Sequence, residues 1–200
     1  MTLPAAASIQ GLAPFFTDVR VFNTSYTASL EVTATYRCFL GDCAGLPPRR
    51  IFTLLPRESA AFNDMVAADF HAPNSAGAVE LDFDGAAEQV VATSRLYSTA
   101  PSPTVGMFVP GLPQSRAVET AVLTSVRNRG PGKGFRTNVG VFNPGDLPVL
   151  VILTVLANGF PAGSPVVRTV LAHSGVQVNA IFAVAGAPDT ATSNGVVVVS

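Results

Sequence analysis

The sequence predicts an all-β fold: two tandem antiparallel β-sandwich modules, the second lacking its last two strands. Three observations lead there. Short runs of Val, Thr, Phe, Leu and Ile alternate with polar residues at a period of two, as in "TDVRVFN", where Val19 and Val21 interleave with Asp18 and Arg20. Sixteen prolines and seventeen glycines are spread along the 200 residues, which leaves little room for long helices. One phrase is also written twice: "FFTDVRVFNTSY" from Phe15 returns as "FRTNVGVFNPGD" from Phe135.

Taken in order, the opening "MTLPAAASIQ" has neither the basic start nor the sustained apolar core of a secretory leader, so the chain is either cytosolic or has lost a leader. "TDVRVFN" is the first strand. "SLEVTATYRC" is the second, with Leu30, Val32, Ala34 and Tyr36 on one face and Glu31, Thr33, Thr35 and Arg37 on the other. "RRIFTLL" is a third. "PRESAAFNDMVAADFHAP" has fewer β-branched residues and fits a short helical turn around Phe62–Phe70. "GAVELDFD", "EQVVATSRLYS" and "VGMFVPG" complete the first module, residues 1–113. A linker over 114–120 leads to the second module, residues 121–200, whose longest apolar run, "VLVILTVLA" at Val149–Ala157, reads as a buried strand.

The echo extends beyond one phrase. Thr17 and Thr137, Val19 and Val139, Val21 and Val141, Phe22 and Phe142, and Asn23 and Asn143 all stand 120 residues apart. Asn63 and Asn179 stand 116 apart, and Pro73 pairs with Pro188. The shrinkage falls mainly where the cysteine hairpin of the first copy is longer than "ANGFPAGSP" in the second. A period this long makes each copy a domain with its own core rather than a solenoid unit. The second copy stops at Ser200 without counterparts of Gln89–Ser98 and Val105–Pro110. The expectation is that the chain is a fragment of a longer protein. Strand donation from a neighbouring copy, giving a homo-oligomer, comes second, and closure against the first copy third.

Composition narrows the function. Apolar residues make up 48% and charged residues 12%, against about 25% charged in ordinary soluble domains. Such a neutral surface suits secreted and cell-surface proteins. The net charge of −1 offers no basic stripe for a phosphate backbone, so nucleic acid is not an expected partner. No apolar run approaches the ~20 residues of a membrane-spanning helix, so no membrane insertion is expected. Cys38 and Cys43 flank a turn-like "GD" and are placed for a disulfide. Two free thiols and a metal or redox pair are the alternatives, the last without a third ligand nearby.

Side chains with chemical potential are few. His71 and His173 occupy non-equivalent positions with no G-x-S-x-G motif, and read as surface-loop residues. Glu80, Asp82 and Asp84 would share one solvated strand face and could offer oxygen ligands to Ca²⁺, but the rest of a calcium loop is missing, so no metal or other cofactor is expected. Tyr26, in "TSYTA", is the one aromatic placed to stack on a sugar. "RNRGPGKGFR" gathers Arg127, Arg129 and Lys133 with turn formers and could dock an anionic glycan or acidic partner, or simply be a solvated loop. Asn23 and Asn143 should close turns through their own side chains, while Thr17, Thr137, Asp18 and Asn138 should face outward or toward the rim of the other sheet.

"FFTDVRVFNTSYTASLEVTATY", "LLPRESAAFNDMV" and "VVATSRLYS" with "VGMFVPGLP" together resemble a β-sandwich repeat module of large bacterial secreted and cell-surface proteins. The likeness covers nearly all of the first copy and the first two phrases of the second. The order of parts is also similar, more weakly, to the sensory rhodopsin transducer family, which implies an oligomeric β-sandwich likened to carbohydrate-binding modules. Neither resemblance supplies a catalytic motif. The expected role is therefore structural or adhesive and not enzymatic, with protein or glycan partners at the cell surface. A carbohydrate or small-ligand binding module is the alternative, and a calcium-dependent or hydrolytic fragment a third reading.

Overall fold

Alternation does what it should in the first repeated phrase: Val19 and Val21 are buried while Arg20 is exposed. The computed structural model describes residues 1–11, 13–43, 45, 47–99, 105–128, 136–187 and 192–200. The chain divides into two units, Met1–Ala117 and Val118–Ser200, each made mostly of antiparallel strands. The fold is all-β.

The first unit runs β1 (Thr2–Gln10), β2 (Pro14–Asn23), β3 (Leu30–Gly41), β4 (Arg49–Leu54), β5 (Ser59–Phe62), α1 (Met65–Ala68), β6 (Ser75–Phe83), β7 (Val90–Ser98) and β8 (Val105–Pro110). Its strands follow one hydrogen-bonded path, β4-β3-β6-β1-β2-β7-β8, with β5 also on β2. The path bends at β1. Residues Thr2 to Ser8 pair with β6, but only Ile9 and Gln10 pair with β2, opposite Phe15 and Pro14. Beyond that corner β2 lies between β5 and β7. Both limbs send side chains into a single core: Leu3, Val19, Val21, Leu30, Val32, Tyr36, Met65, Val66, Val79, Leu81, Val90 and Ala92 belong to it. This layout fits a β-sandwich.

The second unit runs β9 (Ala121–Asn128), β10 (Val139–Asn143), β11 (Val149–Ala157), β12 (Phe160–Pro161), β13 (Val166–Val170), β14 (Ser174–Val178), α2 (Ile181–Val184) and β15 (Thr192–Val199). One sheet is β12-β11-β15-β9 with β13 also on β11, and the other is the pair β10-β14. Its core includes Val139, Leu153, Val155, Val170, Ile181, Phe182 and Val197.

The two units share register as well as order. Leu3 faces Val79 and Ala6 faces Gly77, with a break in register between them; Leu123 faces Val197 and Val126 faces Gly195, again with irregular register between. Both units also drop one helical turn into the core by its first two residues, Met65 and Val66 or Ile181 and Phe182. That turn stands where the sequence placed it, around Phe62–Phe70. Among the described residues the second unit has no counterpart of β7 or β8, so β10 pairs with β14 alone.

Three expectations need correction. Thr2–Gln10, read only as a poor leader, is a strand. Arg127 and Asn128, read as the start of a loop, end β9. β11 is buried on one face rather than throughout, with Val151, Leu153 and Val155 inside and Leu150 exposed, because a strand with sheet neighbours on both sides still shows two faces.

Candidate functional site

The residues shared by the two copies make the same bonds in each. The Thr17 hydroxyl accepts the Ala7 amide at 2.7 Å and donates to the Ala7 carbonyl at 2.9 Å. Thr137 does likewise to Arg127, at 3.1 and 2.7 Å. In the first unit the hydroxyl takes the place of a backbone rung where β1 and β2 part company; in the second it ties the end of β9 to the residues leading into β10. Thr17 is fully buried rather than facing outward or toward a rim. It stands two residues before Val19 and four before Val21, so the period of two puts it on their inward face, where its hydroxyl is satisfied by the Ala7 backbone.

One residue on, the Asp18 carboxylate accepts the Asp64 amide at 3.1 Å and the Asn138 side-chain oxygen accepts the Ala180 amide at 3.0 Å. Asp64 and Ala180 are the left-handed residues (φ 44° and 50°) that start the two helical turns. Non-glycine residues avoid that region, so each side chain clamps a backbone held in an unfavourable conformation.

Asn23 and Asn143 anchor a corner. The Asn23 amide group reaches the carbonyls of Ala28, Leu54 and Leu55 at 2.8, 3.2 and 3.1 Å, and its oxygen accepts the Ser25 amide at 2.9 Å. Asn143 reaches the carbonyls of Leu147, Val170 and Leu171 at 2.8, 3.3 and 3.2 Å and accepts the Gly145 amide at 3.0 Å. Both are buried, and both close turns through their own side chains as expected. At the corner itself stand Arg57 and His173, both left-handed, whose amides donate to Ser25 and Gly145. Their side chains differ: the Arg57 guanidinium lies over the rings of Phe22 and Tyr26, at 4.8 and 4.6 Å, whereas His173 Nε2 is 2.9 Å from an Asp146 carboxylate oxygen.

The sequence-predicted ligand residues are dispersed. Tyr26 is 79% exposed and backed by Arg57. Of the three acids on "ELDFD", Glu80 is buried with an oxygen 2.6 Å from Arg37 Nε. Asp82 is exposed on β6, and Asp84, past the strand end, accepts the Glu31 amide at 2.9 Å. Among the described residues no group of three or more His, Cys, Asp or Glu could hold a metal ion. Arg127 is exposed at the end of β9, with its backbone engaged by Thr137. Arg129 and Lys133 lie outside the described residues, as does Pro188. His71 is exposed. Cys38 and Cys43 form a disulfide across the end of β3, with Cα atoms 5.5 Å apart.

One titratable cluster escaped the sequence. Asp18, Asp64, Ser8 and Tyr97 meet at the mouth of α1: Ser8 Oγ donates to Asp64 Oδ2 at 3.3 Å, Tyr97 donates to Asp18 at 3.4 Å, and Asp64 Oδ1 is buried without a well-formed hydrogen bond. Burial raises the Asp64 carboxyl above its ordinary range, aided by the negative charge of Asp18 and opposed by the Ser8 hydroxyl and the Ala67 amide. Burial and Asp18 also raise the Tyr97 phenol. Two nearby carboxyls are the raw material of acid–base chemistry, but Asp18 already holds the Asp64 amide. The second unit has Asn138 and Ala180 in their places. Deeper in the core, Tyr36 stacks on Phe70 (centroids 5.4 Å apart) and shares a hydrogen bond with Ser75 at 2.9 Å; burial pushes its phenol up to about 12.

No helix among the described residues is long and apolar enough to cross a membrane. Comparison with protein-family models, with curated proteins and with solved structures finds no match for the chain.

Proposed function

We propose that this chain is a non-catalytic structural or adhesive segment of a secreted or cell-surface bacterial protein, built from β-sandwich modules of one design. The observation that carries this reading is the fate of the shared polar side chains. Thr17/Thr137, Asp18/Asn138 and Asn23/Asn143 all bind backbone groups of their own unit. What the duplication retains is a frame, not a set of reacting groups. The Cys38–Cys43 disulfide supports an oxidising compartment. The low charge content gives no electrostatic reason to bind nucleic acid. The bacterial setting rests on the resemblance of the repeated phrases to surface-protein modules.

Carbohydrate or small-ligand binding is the second reading, and Tyr26 is what favours it: a largely exposed ring held in place by a guanidinium on one side. A glycan array probed with the full chain separates the two. The structural reading expects no saturable binding. Saturable binding that disappears in Tyr26→Ala would replace it with the second. Compartment is tested by thiol labelling of the exported chain before reduction, where both cysteines should be unreactive.

A further inference from the structure

We infer that the free edge of β10 is a docking site for an extended segment with the chemistry of β7, supplied by another stretch of polypeptide. The inference deepens the structural reading by naming the partner that completes the second unit.

The first unit displays the occupant. There β2 carries β5 on one side and β7 on the other, with Val19 opposite Ser94, Val21 opposite Ala92 and Asn23 opposite Val90. The Asn23 amide donates on the β5 side, to Glu58, and the Thr24 amide donates on the β7 side, to Gln89. Amides alternate along a strand. In β10, therefore, Val139, Val141 and Asn143 turn their amides toward β14, and Gly140 and Phe142 turn theirs toward the edge where, among the described residues, no strand pairs.

The face beside that edge is open at the very positions that β7 and β8 seal in the first unit. There β7 and β8 lie against β1, Thr2 and Leu112 exchange two backbone hydrogen bonds at 2.7 and 2.8 Å, and the Gly111 amide donates to Ala92 at 2.8 Å. Thr2 is 8% exposed and Leu3 0%. Their equivalents Val122 and Leu123 are 58% and 37% exposed, and Val141 is half-buried where Val21 is buried. Natural sheet edges are usually blunted by charge, proline or a bulge. β4, an edge strand of the first unit, opens with Arg49 and Arg50, whereas "VGVFN" carries no charge and pairs in unbroken register. A side chain built on Gly140 would meet nothing within 4 Å.

The register of the first unit specifies the ligand. The segment runs antiparallel to β10, with small apolar or hydroxyl side chains at alternate positions, corresponding to Val90, Ala92 and Ser94, facing Asn143, Val141 and Val139. A second copy of β10 is the competing occupant, but a five-residue partner with no following strand leaves Val122 and Leu123 uncovered.

The test is residue-resolved amide exchange on the full chain, with and without a synthetic peptide VVATSRLYS, the sequence of β7. Gly140 and Phe142 should exchange freely alone and slow on the order of tenfold or more with saturating peptide. A scrambled peptide should do nothing. Gly140→Pro should leave the free chain folded, since proline is tolerated where an edge N–H faces solvent, and should abolish the slowing. The proposal is overturned if Gly140 and Phe142 are already protected in the free monomer, if the β7 peptide slows neither, or if their protection instead accompanies a doubling of mass on concentration. None of these outcomes bears on the glycan array, so failure here is distinct from failure of the structural reading.

Discussion

Replacing Asn23 by alanine is the most direct trial of the frame. Its amide carries two protons toward three carbonyls, and its oxygen takes one amide, so about three hydrogen bonds vanish at once. The residue is fully buried, and water cannot stand in for it. At roughly 1 kcal/mol per bond, Asn23→Ala should cost about 3 kcal/mol of stability. Asn143→Ala removes an equivalent set from a slightly more open site and should cost about 2 kcal/mol. Urea unfolding followed by far-ultraviolet circular dichroism gives the size of the loss. Amide exchange gives its place: Asn23→Ala should loosen Ser25, Ala28 and Arg57 first, and Asn143→Ala should loosen Gly145 and His173. A loss below about 1 kcal/mol in Asn23→Ala, or one spread evenly over the first unit, would refute the idea that this side chain holds the corner together.

Other outcomes follow from the same geometry. Tyr36→Phe removes the buried bond to Ser75 and should cost about 1 kcal/mol at neutral pH. Because the folded Tyr36 phenol is raised to about 12 from 10, the folded state keeps its proton longer than the unfolded chain, so stability is full below pH 10 and falls as pH rises toward 12; the variant should lose that alkaline decline in a melting-temperature profile. The raised Asp64 carboxyl has the same sign at acid pH: its contribution is present below the unfolded value and lost as pH rises through the folded one. Asp64→Asn should therefore flatten the acid limb of the profile and melt at or above the parent temperature at pH 7; an unchanged acid limb would count against the account. Replacing Cys38 and Cys43 by serine opens a loop with a sequence separation of 5 and should cost about 2 kcal/mol, a difference that should vanish when the parent is unfolded in reductant.

Strands with one solvated face were legible in the sequence. Val19 and Val21, or Leu30, Val32, Ala34 and Tyr36, write the period of two because their alternate neighbours meet water or the sheet's outer face. β1 was not legible. Its "TLPAAASIQ" is short in β-branched residues, and its state is imposed by β6 along most of its length, by β2 at the corner and by β7 and β8 lying against it. Small Ala6 and Ala7 suit that crowding but do not announce a strand. The repeat was the signal that outlived local ambiguity, because five matched positions at constant spacing do not depend on propensity. At the corner, Asn23 could be read because its work is local. The hydroxyl rung of Thr17 and the clamp of Asp18 could not, since their partners Ala7 and Asp64 are brought in by the fold. The left-handed Ala180 is harder still: alanine has no liking for φ near 50°, and the Asn138 clamp that holds it there lies far away in sequence.

The two corners already hold different chemistries on one support. Asn23 or Asn143 and one backbone bond, from Arg57 to Ser25 or from His173 to Gly145, fix the chain path in both copies. The side chain at that position adds its own tie, Arg57 to the Thr24 carbonyl at 3.1 Å and His173 to Asp146 at 2.9 Å. One copy exhibits a guanidinium laid on aromatic rings, the other an imidazole beside a carboxylate. Positions 57 and 173 thus show that one corner accepts two unlike side chains, and any set grafted there would have to suit a left-handed backbone, which disfavours β-branched residues.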